Sequence, residues 1–249
     1  MSLAQRLRHR FAGRRHTALL MSIVVAFAIR PVLGQGPVLS AAFSLAMILL
    51  MLFALYAISL DELVGDREHL RARRHRRHVV AWILAAPAAM ERILVLTVAP
   101  TAHFYLMSAI CWMLFLGYIT WVELRSVLEQ RQVTGETISM AISVYLLMGV
   151  TWAMLYVVIL ETNPQSLYFQ QFPGLSIDVA PSAHTNLLLF VYFSLSTLST
   201  LGFGDIMPVS LPARYAAVAE GITGQLYLAI LVARLVSMQL SESRKSDGV

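Results

Sequence analysis

Residues 197–205 read TLSTLGFGD, a polar stretch with two glycines between two strongly apolar segments. Inside a lipid bilayer, backbone that is not helical leaves amides and carbonyls without partners. Such a stretch persists only where it lines a watery cavity or is buried in protein. Gly202 and Gly204 alternate with larger residues, and glycine takes left-handed backbone angles without a Cβ penalty. Alternating handedness points successive carbonyls the same way, so we expect a row of aligned backbone oxygens here.

The composition around this stretch is that of an integral membrane protein. Of the 249 residues, 58% are hydrophobic and only 13% are charged, which excludes a soluble domain with a polar surface. A spanning helix needs about 20 apolar residues. The apolar segment 184–198 is too short to span and predicts a re-entrant helix, with Pro181 and Ser182 at its start. Six longer apolar segments predict spans, at 17–33, 38–60, 79–98, 101–122, 138–160 and 213–240. The predicted fold class is therefore an all-α integral membrane protein.

The basic residues orient these spans. Cytoplasmic loops carry the excess of Lys and Arg. With six spans and both termini cytoplasmic, 16 of the 19 basic residues lie on the inner side, most of them in the tail 1–16 and the loop 61–78. The span 79–98 is the weakest, since Glu91 and Arg92 interrupt it, but this asymmetry favours it. The first span has an alternative as a cleaved signal peptide, which would leave the remaining topology unchanged.

The stretch after the short helix has the chemistry of a cation site. A row of carbonyl oxygens can replace the hydration shell of a cation, but one chain supplies only one wall. The site must therefore close by symmetry, most simply as a four-fold ring of identical chains. The C-terminal end of the short helix, near Thr197, would direct partial negative charge to the membrane centre.

At these residues the chain resembles the potassium channel superfamily. Its filter is commonly Thr-Val-Gly-Tyr-Gly-Asp, and residues 200–205 read Thr-Leu-Gly-Phe-Gly-Asp. The resemblance continues through Pro208, Arg214 and Gly224 and covers 138–240. It implies a homotetrameric K⁺ channel with a pore helix at 184–198 and an inner helix at 213–240. It implies K⁺ coordination by the Thr200 hydroxyl and by the carbonyls of Thr200, Leu201, Gly202 and Phe203.

The same resemblance assigns supporting roles to further residues. Gly224 falls where the family has a gating hinge. The residues implied to support the filter are Thr197, Gly204, Asp205 and Glu220. A face of the last helix at spacings of three and four residues is expected to line the inner cavity, or alternatively to pack against the fifth span. That face consists of Gln225, Ala229, Val232 and Val236.

Two residues of the filter differ from the family's usual ones, and a carboxylate lies within the last span. Leu201 replaces the usual valine, and Phe203 replaces a tyrosine whose hydroxyl braces the filter. We therefore expect weaker bracing, with either filter inactivation or relaxed K⁺/Na⁺ discrimination as its consequence. Glu220 lies in a span, where a carboxylate is costly enough to indicate function. We expect it to hydrogen-bond behind the filter to Ser196 or Thr197. The alternative is a partly hydrated group near the outer mouth.

The first four helices, at 17–123, form a predicted peripheral bundle joined to the pore by a cytoplasmic linker at 124–137. The fourth span contains no arginine, so it is not a voltage sensor of the usual kind. Five arginines beside the inner leaflet form a candidate site for anionic lipid, or alternatively serve only to fix the topology. These are Arg71, Arg73, Arg74, Arg76 and Arg77. A short cytoplasmic tail follows at 241–249.

Other function classes fit less well. No nucleophile–base pair or metal-binding motif is present, so we expect no enzyme activity and no cofactor, K⁺ being the permeant ion. Nucleic-acid binding is not expected from a basic loop beside a membrane. Transporters typically carry paired broken helices, whereas one re-entrant segment is found here. A weakly selective or non-selective cation channel and a transporter subunit are the alternatives. The expected location is the bacterial inner membrane.

Overall fold

The computed structural model describes residues 102–130, 133–170 and 187–246, together with 20, 21, 24, 79, 82, 83, 85 and 86. Several predictions from the sequence concern residues outside this set. They are the tail 1–16, nearly all of the first three spans, the arginines at 71–77 and the helix start at 181–182.

The described ranges 102–130, 133–170 and 187–246 contain four helices and two short strands. Helix α1 is Ala102–Glu129, α2 is Gly135–Thr162, α3 is Leu187–Leu198 and α4 is Leu211–Ser246. Among the described residues, three helical segments are long and apolar enough to cross a membrane, namely Phe104–Glu129, Gly135–Thr162 and Leu211–Leu240. Helix α3 has 12 residues and is too short to do so. The chain is therefore a mostly helical membrane protein, and its described spans correspond to the last three predicted ones.

The helices extend beyond the predicted apolar windows. The segment predicted as a linker at 124–137 is helical over 124–129 and 135–137. In α1, Arg125 donates to Glu129 at 2.9 Å, an i,i+4 pair that a helix accommodates readily. At the start of α2, the Thr134 hydroxyl accepts from the amide of Thr137 at 3.2 Å, as an N-cap residue does. Polar residues thus carry these helices past the point where hydropathy falls.

A small antiparallel ribbon departs from the expected all-α fold. Strand β1, Leu167–Phe169, pairs with β2, Ile206–Pro208, in a register that places Tyr168 opposite Met207. Beyond the strands, the Gln170 amide donates to the Asp205 carbonyl at 2.8 Å. Three residues are too few for an alternating pattern to be recognised in a sequence. The ribbon joins the segment after α2 to the segment after residue 205.

The chain divides into two compact units, one of residues 1–96 and 121–144 and the other of 97–120 and 145–249. In the second unit, Thr120 on α1 and Thr151 on α2 share a hydrogen bond of 3.2 Å. The core around α3 is aromatic and well buried. Tyr156 meets Phe193 edge to face with ring centroids 4.8 Å apart. This packing fixes α3, and with it the polar stretch that follows α3.

Candidate functional site

The polar stretch turns back on the end of α3 through backbone hydrogen bonds. The Ser196 carbonyl accepts from the amide of Leu201 at 2.8 Å and from that of Gly202 at 3.2 Å. The Thr200 amide donates to the Thr197 carbonyl at 2.9 Å. Carbonyls that a helix end leaves free are satisfied in this way. The stretch therefore begins at a defined point on α3.

Left-handed backbone angles alternate along the stretch, at every second residue. The φ angles are +60° at Thr200, +53° at Gly202 and +80° at Gly204. Both glycines thus adopt the handedness expected from their spacing. Thr200 was not expected to do so, because a left-handed angle costs a residue with a Cβ about 1–2 kcal/mol. Strain of this kind persists only where the surroundings enforce it, and it concentrates at functional sites.

The side chains of the stretch are only partly covered by their own chain. Leu201 is 64% exposed and Phe203 is 63% exposed. A Cβ added at Gly202 or Gly204 would meet no atom within 4 Å. The glycines are therefore required here for their backbone angles and not for a close contact within the chain.

Tyr192 on α3 contacts the C-terminal half of the stretch. Its ring stacks on Phe203, with centroids 5.9 Å apart and planes 6° from parallel. Its hydroxyl donates to Asp205 Oδ2 at 2.8 Å. Partial burial, the hydrogen bond to Asp205 and the charge of Asp205 all raise the pKa of this hydroxyl, which stays protonated as a donor. A tyrosine on the neighbouring helix thus contacts the stretch where Phe203 lacks a hydroxyl.

Asp205 also fixes the exit from the stretch. Its Oδ1 accepts from the Ile206 amide at 3.0 Å, just before β2. Two residues further, Pro208 offers its carbonyl to Arg214 Nε at 3.3 Å. Two residues that carried the resemblance to potassium channels therefore contact each other at the start of α4.

Glu220 on α4 is fully buried, but its partners are not the expected ones. Tyr156 on α2 donates to Glu220 Oε2 at 2.6 Å, and Ser194 on α3 contacts Oε1. The predicted partners Ser196 and Thr197 instead donate their hydroxyls to the Phe193 carbonyl within α3. The side chain therefore does not reach the end of α3. The alternative of a partly hydrated group is wrong as well, since Glu220 is 0% exposed.

Gly224 lies against the C-terminal end of α3. A Cβ at this position would clash with the Leu198 carbonyl oxygen and would lie 3.1 Å from the carbonyl carbon. Further along α4, all four residues of the predicted cavity face are exposed within the chain, namely Gln225, Ala229, Val232 and Val236. Gly224 therefore permits a close helix contact, which is a separate role from the predicted hinge.

Sequence reasoning missed three residues of the site. Tyr156 and Ser194 lie within apolar helices, 64 and 26 residues from their common partner Glu220. Tyr192 lies 13 residues before Asp205. The one available signal was that each is a hydroxyl in an otherwise apolar segment, where a polar group needs a partner.

The comparison with known families agrees with this geometry. Residues 141–240 match a family model described as an ion channel. Residues 141–240 therefore resemble an ion-channel domain. The match contains α3, the polar stretch and the membrane-spanning part of α4, and it confirms the resemblance to the potassium channel superfamily. No curated protein and no solved structure matches the chain.

Proposed function

We propose that the protein is a homotetrameric K⁺-selective channel whose ion-channel domain conducts K⁺ passively through residues 200–205. The observation that carries this proposal is the alternation of left-handed angles at Thr200, Gly202 and Gly204. That alternation turns successive carbonyls to one side of the chain, where they replace water around a cation. The coordinating oxygens are those of Thr200, Leu201, Gly202 and Phe203. The function involves no bond-making chemistry and no cofactor.

Four copies are proposed because a single copy leaves both faces of this stretch incomplete. One chain offers carbonyls from one direction, whereas a bare cation needs oxygens all around it. The side chains of Leu201 and Phe203 are also more than half exposed within their own chain. Four chains around one axis complete the carbonyl ring and cover these side chains by the same symmetry operation.

The test is a reversal-potential measurement on purified protein in planar bilayers with K⁺ on one side and Na⁺ on the other. We expect current whose reversal potential lies close to the K⁺ equilibrium potential. A stoichiometric, saturating flux without single-channel currents would instead identify a transporter subunit and contradict the proposal.

A weakly selective cation channel is the second candidate, favoured by the missing hydroxyl at Phe203. Tyr192, which stacks on Phe203 and binds Asp205, favours the selective channel because it supplies bracing from α3. Phe203→Tyr separates the two. We expect this variant and the parent to share one reversal potential under bi-ionic conditions. A shift toward the K⁺ equilibrium potential in Phe203→Tyr would favour the weakly selective channel.

On α4, we propose that Gly224 is a hinge and that Gln225, Ala229, Val232 and Val236 line the inner cavity. The exposure of this face within a single chain supports the proposal. Cysteines placed at 229 and 232 should react with a charged thiol reagent applied from the inner side and reduce the current. Labelling without any change in current would place this face away from the pore.

We also propose a bacterial inner-membrane location with both termini cytoplasmic, because 16 of the 19 basic residues then lie inside. Asp247→Cys in a Cys111→Ala background should be labelled from the cytoplasmic side alone. Labelling from the outer side would contradict the proposed orientation.

The five arginines at 71–77 are proposed to bind anionic lipid. Anionic lipid should then raise the melting temperature of the parent more than that of a variant with these arginines changed to glutamine, and equal effects would contradict it.

A further inference from the structure

A network of hydrogen bonds links α2, α3 and α4. Helix α3 leads directly into residues 199–205, which we call the ion-channel stretch because the proposed function places conduction there. The side chains of the network are Tyr156, Ser194 and Glu220, and each is 0% exposed. The Tyr156 hydroxyl lies 2.6 Å from Glu220 Oε2. Ser194 Oγ contacts Glu220 Oε1 and also lies 2.6 Å from the carbonyl oxygen of Gly149 on α2.

The number of hydrogens available in this hydrogen-bond network determines whether the carboxyl group of Glu220 is protonated. Ser194 has a single hydroxyl hydrogen, and the Gly149 carbonyl has none to give. If Glu220 were ionised, Ser194 could donate to only one of its two neighbours. Its other contact would then place two oxygens together with no hydrogen between them, in a buried site where unsatisfied polar groups are costly.

A protonated Glu220 satisfies every contact. Tyr156 donates to Oε2, the acid group on Oε1 donates to Ser194, and Ser194 donates to the Gly149 carbonyl. With the proton on Oε2 instead, Ser194 would again have one hydrogen for two acceptors, Oε1 and the Gly149 carbonyl, while the Tyr156–Oε2 contact would hold two hydrogens. Only one arrangement therefore gives each hydrogen an acceptor.

The packing around the cluster holds these groups in place. Gly149 lets α3 come close, because a Cβ there would lie 2.5 Å from Leu195 Cδ2. The Tyr156 ring is held edge to face against Phe193. The groups that face Glu220 from α2 are the hydroxyls of Tyr156 and, at longer range, Tyr145, and from α3 the hydroxyl of Ser194. Within the described residues these groups supply no positive charge to a buried carboxylate.

We propose that Glu220 is a neutral carboxylic acid that donates a hydrogen bond to Ser194 and thereby positions α3 between α2 and α4. As a positioning residue, it holds the helix from which the ion-channel stretch begins without placing a negative charge beside it. This consequence for conduction rests on the proposed function, whereas the protonation state does not.

Infrared difference spectroscopy of the full-length protein in lipid at neutral pH tests the proposal. The parent-minus-Glu220→Gln spectrum should contain the C=O stretching band of a protonated carboxylic acid. Glu129→Gln is the matched control, since Glu129 is exposed and paired with Arg125. That variant should lose only the two stretching bands of an ionised carboxylate. Loss of carboxylate bands in Glu220→Gln as well would overturn the proposal.

Tyr156→Phe provides a second test that does not remove the carboxyl group. The carbonyl oxygen Oε2 loses its hydrogen bond, so the acid C=O band should move to higher wavenumber. A change confined to carboxylate bands would overturn the proposal even if Glu220→Gln fails to fold. Because both readouts are spectroscopic, their outcome is independent of whether the protein conducts K⁺.

Discussion

At the scale of single residues, the left-handed angles decide which substitutions the ion-channel stretch tolerates. Gly204 has φ of +80° and no neighbouring atom within 4 Å of an added Cβ. Alanine there is opposed by backbone strain alone, at about 1–2 kcal/mol. Gly204→Ala should therefore reduce K⁺ flux into liposomes by about tenfold, through loss of the aligned conformation.

Gly135 provides the control for this substitution. It also has open space around its Cβ position, but its φ is not in the left-handed region. Gly135→Ala should conduct like the parent. Equal flux through Gly204→Ala and Gly135→Ala would show that the left-handed angle at Gly204 is not needed.

Gly224 and its neighbour Gly221 make a second matched pair on α4. A Cβ at Gly224 would clash with the Leu198 carbonyl, whereas a Cβ at Gly221 would lie at an ordinary 3.8 Å from the Thr197 carbonyl oxygen. Gly224→Ala should destabilise the protein by about 1–3 kcal/mol because the helices must separate. Gly221→Ala should be neutral or stabilising, since alanine is favoured over glycine within a helix.

Thermal unfolding in detergent measures this difference as a lower melting temperature for Gly224→Ala alone. If both variants have the melting temperature of the parent, the close contact between α4 and Leu198 does not contribute to stability. The predicted hinge would then be the remaining reason for a glycine at this position.

At the scale of secondary-structure elements, α3 is the support of the ion-channel stretch, and Tyr192 connects the two. Tyr192→Phe retains the ring that stacks on Phe203 but loses the hydrogen bond to Asp205. A hydrogen bond to a charged group contributes about 1.5–3 kcal/mol, and less where it is exposed to water as here. The C-terminal half of the stretch should then hold its conformation less well.

Sustained K⁺ current in planar bilayers measures this loss, and we expect it to decline faster in Tyr192→Phe than in the parent. Tyr168→Phe is the control, because Tyr168 lies in β1 with its side chain exposed. An equal decline in both variants would attribute the effect to a general loss of a tyrosine hydroxyl.

Elements were predictable from sequence in proportion to their length. Runs of about 20 apolar residues predict the membrane-spanning helices, and a shorter apolar run before a polar stretch predicts α3. The ends of these helices were not predictable from hydropathy, because polar residues form part of them. Arg125 and Glu129 pair within α1, and Thr134 caps the start of α2. The ribbon of β1 and β2 was missed because its paired residues lie 37 or more positions apart in the sequence, which no local pattern records.

At the scale of the whole molecule, the exposure of α4 argues for assembly. In its most apolar window, 17% of α4 is buried within the chain, against 56% for α2. Lipid can cover an apolar helix, but it cannot cover carbonyl oxygens or complete a cation site. We therefore predict four chains in each particle. Native mass spectrometry from mild detergent should give the mass of a tetramer, and a monomer or dimer that conducts K⁺ would contradict this.

The sequence by itself determined that this is a membrane protein, where its last three spans lie, and which short stretch resembles a K⁺ filter. These features depend on composition and local spacing, which the chain displays directly. Only the tertiary structure decided that Glu220 contacts Tyr156 and Ser194. It also decided that Tyr192 contacts Phe203 and Asp205, and that Gly224 lies against Leu198. Those pairings join residues on different helices, and their distances depend on how the helices pack, which local spacing does not specify.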